Sequence, residues 1–190
     1  MQIDSILLHA PIRPSWAWMC AHPVRVLAFG FGSGLSRSAP GTWGTLMGWI
    51  LFLGLDRLAH CPPLINLIGP AFWPTLIAFG FLIGIPICAK ANRDLRVQDH
   101  GGIVWDEIVA IWLVLFILPR TLIWQAFGFL IFRLFDILKP PPIRYCDQRI
   151  HGGFGVMLDD LLAAFYALLT LALAYRLNGF FGFSIGGAYV

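Results

Sequence analysis

Five apolar stretches, separated by breaks rich in glycine, proline or charge, constrain most strongly what this chain can fold into. They run Leu46–Leu58, Pro70–Ala89, Ile103–Leu118, Thr121–Leu138 and Val156–Tyr175. Several fall short of the roughly 20 residues that a straight membrane span needs. Either their ends extend into the flanks or some helices enter only part of a bilayer. Composition decides between a greasy soluble core and a membrane protein. Hydrophobic residues make up 58% of the 190 and charged ones 12%, where soluble domains are about a quarter charged. With eight Trp, sixteen Phe and a mean hydropathy of +0.77, the expectation is an all-α, polytopic membrane bundle of about five hydrophobic helices.

Alternating crossings sort the basic residues by side. One side collects Arg13, Arg25, Arg37, Lys90, Arg93, Arg96, Lys139, Arg144 and Arg149, while the other holds Arg57, Arg120 and Arg176. The positive-inside rule makes the richer side cytoplasmic, which predicts a multi-pass protein of the bacterial inner membrane. A net charge of +3 without a basic run argues against a nucleic-acid partner. Cys20, Cys61, Cys88 and Cys146 are too scattered for a disulfide frame or a zinc site. Residues 1–23 lack a basic head before an apolar core and read as an N-terminal extension, not a secretory signal. A helical domain is expected over residues 24–177, with a tail at 178–190.

Carboxylates break the apolar pattern, and they do so on one side. Asp106 and Glu107 open the third stretch in VWDEIVAIW, Asp136 closes the fourth, and Asp159 and Asp160 lie near the start of the fifth. The alternation brings all five to one depth near the cytoplasmic face. A charge within hydrocarbon costs about 2.5–3.5 kcal/mol on insertion scales, so each needs a reason. Individual pairs suit helix N-termini, where the dipole favours negative charge. Asp136 does not, because it sits at a C-terminal end, and Arg133 one turn earlier offers it a local partner. Asp106 and Glu107 have no basic residue beside them in sequence, which points to a metal ion as counter-charge. Oxygen-only ligands suit Mg²⁺, held by Asp106, Glu107, Asp159 and Asp160.

A second dense stretch, GFGSGLSRSAPGTWGT at residues 30–45, precedes the first apolar run. Backbone N–H groups of such a loop can cradle an anion ahead of a helix, although neither the Walker spacing nor GxGxxG is present. Glycine-rich turns also serve close packing. Lys139 and Arg144 add cations on the same side. Carboxylates for a metal, an anion loop and basic clamps together are what phosphoryl transfer requires. No CxxxxxR loop, DxD pair or GxSxG elbow is present. Of the histidines, His100 alone is retained as a candidate acid or base. An ion-coupled transporter is the rival reading, and it would place carboxylates at mid-depth in two related halves. No internal repeat is visible.

From about Val26 to Leu173 the sequence resembles the phosphatidylglycerophosphatase A family of bacterial membrane lipid phosphatases. The resemblance is carried, in order, by GFGSGLSRSAPGTWGT, DHGGIVWDEIVAIW and FRLFDILKPPPIRYCDQRIHGGFGVMLDDLLA. It implies an all-helical, Mg²⁺-dependent enzyme that removes the terminal phosphate of phosphatidylglycerophosphate to give phosphatidylglycerol. Its motif carboxylates would be Asp106, Glu107, Asp136, Asp159 and Asp160, and its loop residues Ser33, Arg37 and Thr42, with Lys139 or Arg144 assisting at the phosphate. The chain departs at its N-terminal extension and at the triple proline Pro140–Pro142, neither of which touches a carboxylate. Spacing does not distinguish water from an Asp as the attacking group.

Overall fold

A computed structural model describes residues 12–60, 69–97 and 100–180. Residues 1–11 of the expected extension, Cys61, and residues 181–190 of the expected tail lie outside the described residues. Eight α-helices make up the described chain: α1 Trp16–Cys20, α2 Pro23–Ala28, α3 Pro40–Ala59, α4 Phe72–Leu95, α5 Trp105–Ile117, α6 Leu122–Leu138, α7 Ile143–Arg149 and α8 Gly152–Phe180. Short 3₁₀ turns occupy Gly30–Leu35 and Gly69–Ala71. No strand occurs among the described residues, as an all-α chain requires.

The five apolar stretches correspond to α3, α4, α5, α6 and α8, with two informative shifts. Helix α3 starts at Pro40, so Thr42 and Thr45 of the Gly/Ser stretch are helical and do not belong to a loop. Proline at the first position carries a helical φ and needs no N–H partner there. Ala39 ahead of it takes a left-handed conformation (φ 48°), which turns the chain into the helix. Helix α8 starts at Gly152, two turns before Asp159 and Asp160. Those two carboxylates therefore do not cap a helix start. Asp106 and Glu107 do occupy the first turn of α5, where the dipole favours them.

Helix α5 is the centre of the bundle. Trp105, Ile108, Val109, Ala110, Ile111, Trp112, Val114 and Leu115 are all buried on it, against α3, α4, α6 and α8. Glycines let its neighbours come close. A side chain at Gly44 or Gly48 of α3 would run into Val104, Ile108 or Ile111. One at Gly84 of α4 would meet Trp105 and Met157. Small residues four apart are the usual means of bringing membrane helices into backbone contact. The indoles of α5 then bond glycine carbonyls that no side chain shields. Trp105 Nε1 donates to Gly80 O at 3.0 Å and Trp112 Nε1 to Gly48 O at 2.9 Å. These two bonds fix the depth of α5 against α3 and α4.

The starts of α3, α5 and α8 meet the ends of α4 and α6 at one pole. There the turn at Gly34 packs backbone to backbone on Gly102, and Val104 N donates to Ala28 O at 2.8 Å. Met19 of α1 is buried near this pole, 2% exposed. At the opposite pole Asp56 binds Arg120 and accepts from Trp73 Nε1 at 2.9 Å. This up-and-down order agrees with the alternation that the basic residues suggest.

Two segments, Gly69–Leu95 and Gly152–Arg176, are long and apolar enough to cross a membrane. Helices α5, with 13 residues, and α6, with 17, reach about 20 and 25 Å at 1.5 Å per residue, short of a ~30 Å hydrocarbon core. The outer surface is apolar, with Leu82, Ile123, Leu130, Ile137 and Leu169 each more than half exposed. Such a surface would aggregate in water and belongs against lipid. The protein is membrane-associated.

Candidate active site

All five sequence-picked carboxylates gather at the pole that also carries the Gly30–Leu35 turn. Asp106 and Glu107 come from the first turn of α5, Asp136 from the last turn of α6, and Asp159 and Asp160 from the third turn of α8. Asp106, Asp159 and Asp160 are 8%, 6% and 3% exposed. Asp160 lies within electrostatic reach of Asp136, Asp106, Asp159 and Glu107 together. Long sequence separation thus ends in one buried acidic cluster.

Its immediate counter-charges are protein cations. Arg133 Nη1 donates to Glu107 Oε1 at 3.1 Å, bonds Asp136 on its own helix, and reaches Thr45 Oγ1 at 3.3 Å. Thr45 is fully buried and donates to Gly41 O at 2.9 Å. Lys139 Nζ pairs with Asp159. Lys139 ends α6 in a left-handed conformation (φ 41°), a backbone strain of about 1–2 kcal/mol for a residue other than glycine. The Arg133–Asp136 pair is the local partner that the sequence offers. No basic residue stands beside Glu107 in sequence, but Arg133, 26 positions away, crosses from α6 to meet it.

Glycine makes room for that contact. A side chain at Gly41 would collide with Glu107 Oε1 and Arg133 Nη2, and one at Gly44 would stand 2.5 Å from Glu107 Oε2. Gly41 and Gly44 thus seat a carboxylate. Sequence reasoning missed them, and it also missed Thr45 and the bridging role of Arg133. The signal present was the spacing of Gly41, Gly44 and Gly48, three and four apart, which puts them on one face of α3.

The remaining candidates divide. Ser33 Oγ donates to Gly30 O at 2.9 Å, within its own turn. Thr42 is half-buried on the first turn of α3, next to Gly41. Arg37 and Arg144 are exposed at the same pole, on the segment before α3 and on α7. His100 is structural, since its Nδ1 accepts from Gly102 N at 3.0 Å and its ring lies against Phe29.

The charge and donor type of the cluster fit a hard divalent cation. Five carboxylates face Arg133 and Lys139, a formal excess of three negative charges. Glu107 Oε2 and Asp160 Oδ2 are buried without a hydrogen-bond donor, a costly state that a ligand or ion would relieve. As placed, no three His, Cys, Asp or Glu side chains among the described residues stand close enough to hold an ion. Glu107 and Asp136 turn instead to Arg133, and Asp159 to Lys139.

A model of the family described as phosphatidylglycerophosphatase A matches residues 26–175. The chain is 46% identical over 152 residues to Phosphatidylglycerophosphatase A of Haemophilus influenzae, covering 79% of this chain and 87% of that one. It is 40% identical over 147 residues to Phosphatidylglycerophosphatase A of Escherichia coli K12, covering 75% and 78%. No solved structure matches it significantly. These relationships give no support to the transporter reading, and the carboxylates lie at one pole of the bundle. The matched span contains every carboxylate and cation of the cluster: this chain is a member of the phosphatidylglycerophosphatase A family.

Proposed function

We propose that the protein hydrolyses phosphatidylglycerophosphate to phosphatidylglycerol and phosphate, with its site at the cytoplasmic face of the bacterial inner membrane. The observation that carries this reading is the buried cluster of five carboxylates and two cations at one pole, in a chain related to enzymes of that name. A lipid headgroup lies at that depth, while its acyl chains rest along the apolar helices.

In the reaction a water oxygen bonds to phosphorus and the bond from phosphorus to the glycerol oxygen breaks. The water loses a proton and the departing alkoxide gains one. Asp160 Oδ2 has an open acceptor position and can take the proton of the attacking water. Lys139 is a quarter exposed and can exchange Asp159 for a phosphate oxygen. Arg37 and Arg144, exposed at the same pole, attract the headgroup and hold phosphate oxygens, with Ser33 and Thr42 beside them. Arg133 keeps Glu107 and Asp136 oriented. Asp106, Glu107, Asp159 and Asp160 would hold Mg²⁺, which supplies Lewis-acid stabilisation of the phosphoryl oxygens.

The test is release of phosphate from phosphatidylglycerophosphate by the purified protein in lipid vesicles, with Mg²⁺ present or chelated. Turnover that depends on Mg²⁺ is expected. Absence of turnover would remove the substrate, and turnover indifferent to chelation would remove the metal.

A further inference from the structure

Helix α3 presents two faces at its start. Gly41, Gly44 and Gly48 lie against Glu107 and α5, while Trp43, Leu46, Met47 and Ile50, spaced three and four apart, form the opposite face. That second face lines a groove of about 470 Å³, which Trp16 closes from α1 and which Ser33 and Ser36 border at its polar end. The position of Trp16 follows from how α1 is held. Ser15 Oγ accepts from Trp18 N at 3.2 Å, Met19 is buried, and Trp18 packs edge-on against Phe29. With Trp18 and Met19 turned into the fold, Trp16 lies over Gly32, where a side chain would stand 2.4 Å from the indole. Gly32 also takes φ 105°, a conformation that glycine alone adopts freely.

Interfacial tryptophans are ordinary membrane anchors, but Trp16 and Trp43 both border a concave space. From Trp43 to Ile50 the groove follows α3 for about 10 Å at 1.5 Å per residue, away from the pole of the acidic cluster. Ile50 and Leu53 are exposed and carry its apolar floor on to the lipid-facing surface. No charged side chain lines it among the described residues. A polar mouth at the headgroup level and an apolar floor continuous with the membrane surface suit one occupant. We propose that this groove holds an acyl chain of an anionic glycerophospholipid, with the glycerol end beside Ser33 and Ser36. Arg37, next in the chain and exposed, complements the charge of the lipid phosphate. From there a headgroup crosses the start of α3 to reach Glu107, seated on Gly41 and Gly44. The family match begins at residue 26, so Trp16 is a wall that this chain supplies from outside the matched span. That the lipid is the substrate rests on the proposed hydrolysis of phosphatidylglycerophosphate; occupancy of the groove does not.

The test places the full chain in phosphatidylcholine nanodiscs that carry a small fraction of phosphatidylglycerol with a photoactivatable acyl chain. Expected is saturable labelling of residues 43–50, displaced by unlabelled phosphatidylglycerol and not by added phosphatidylcholine. Trp16→Ala/Trp43→Ala should weaken this labelling about tenfold through loss of the aromatic walls, and Trp16→Phe/Trp43→Phe should keep most of it. Both tryptophans are exposed, and an unchanged thermal midpoint verifies each fold; the competition in wild type needs no variant. For phosphatidylglycerophosphate the Ala pair should raise KM about tenfold with kcat little changed, while the deacylated headgroup should be hydrolysed equally by both proteins. Equal labelling in wild type and the Ala pair would overturn the proposal. So would unsaturable labelling shared with Leu130 and Leu169 on the outer faces of α6 and α8, the mark of annular lipid only. Protein–protein crosslinks through Trp43 and Ile50 would give the face to a second copy and also overturn it. Labelling as expected in a protein that releases no phosphate would keep the groove and reject the hydrolase reading.

Discussion

Arg133 bonds Glu107 on α5, Asp136 on its own helix and Thr45 on α3, so three helices meet on one guanidinium. Removing one partner of a buried ion pair leaves the other uncompensated, at a cost of about 3–5 kcal/mol. Arg133→Met should therefore lower the thermal midpoint strongly, and Glu107→Gln in the same chain should restore part of it. A thermal-unfolding double-mutant cycle measures the coupling, and additive losses would mean that the pair is not coupled. The local half of this arrangement was legible, because Arg133 and Asp136 lie three apart on a helix. The crossing to Glu107 was not. It depends on the rotation of α6 about its axis and on the space left by Gly41 and Gly44, which no local spacing encodes.

At the scale of the element, α3 shows how glycine divides between packing and indifference. Gly48 lies against Ile108 and Ile111, whereas nothing stands within 4 Å of a side chain at Gly54. Overfilling a packed contact costs about 1–3 kcal/mol, while alanine improves an exposed helix by up to ~1 kcal/mol over glycine. Gly48→Ala should destabilise and Gly54→Ala should be neutral or stabilising, as read by unfolding in detergent. The opposite order would contradict the close approach of α3 and α5. The five apolar stretches located the long helices because hydrophobicity persists along each. Their starts were less legible: glycines at 41, 44 and 153 look like breaks in sequence, yet in the fold they are helical positions where another backbone or a carboxylate comes close.

Across the whole molecule, one pole carries the acidic cluster and most of the exposed arginines, while Asp56 and Arg120 pair at the other. The alternation of Lys and Arg made this order legible from sequence, because topology follows charge. Depth was not legible. Helices α5 and α6 are shorter than a span, and only packing shows that α5 is enclosed by its neighbours. Cysteine labelling gives the orientation: Arg37→Cys should react from the cytoplasmic side of inner-membrane vesicles and Arg176→Cys from the other, and reversed labelling would invert the topology. The central claim is that Asp106, Glu107, Asp159 and Asp160 act as one catalytic cluster. The measurement that tests it most directly is phosphate release from phosphatidylglycerophosphate by Asp106→Asn, Glu107→Gln, Asp159→Asn and Asp160→Asn, each with its fold verified. A fall in kcat/KM of about 100-fold or more in every variant is predicted; wild-type turnover in any of the four would contradict the cluster as drawn.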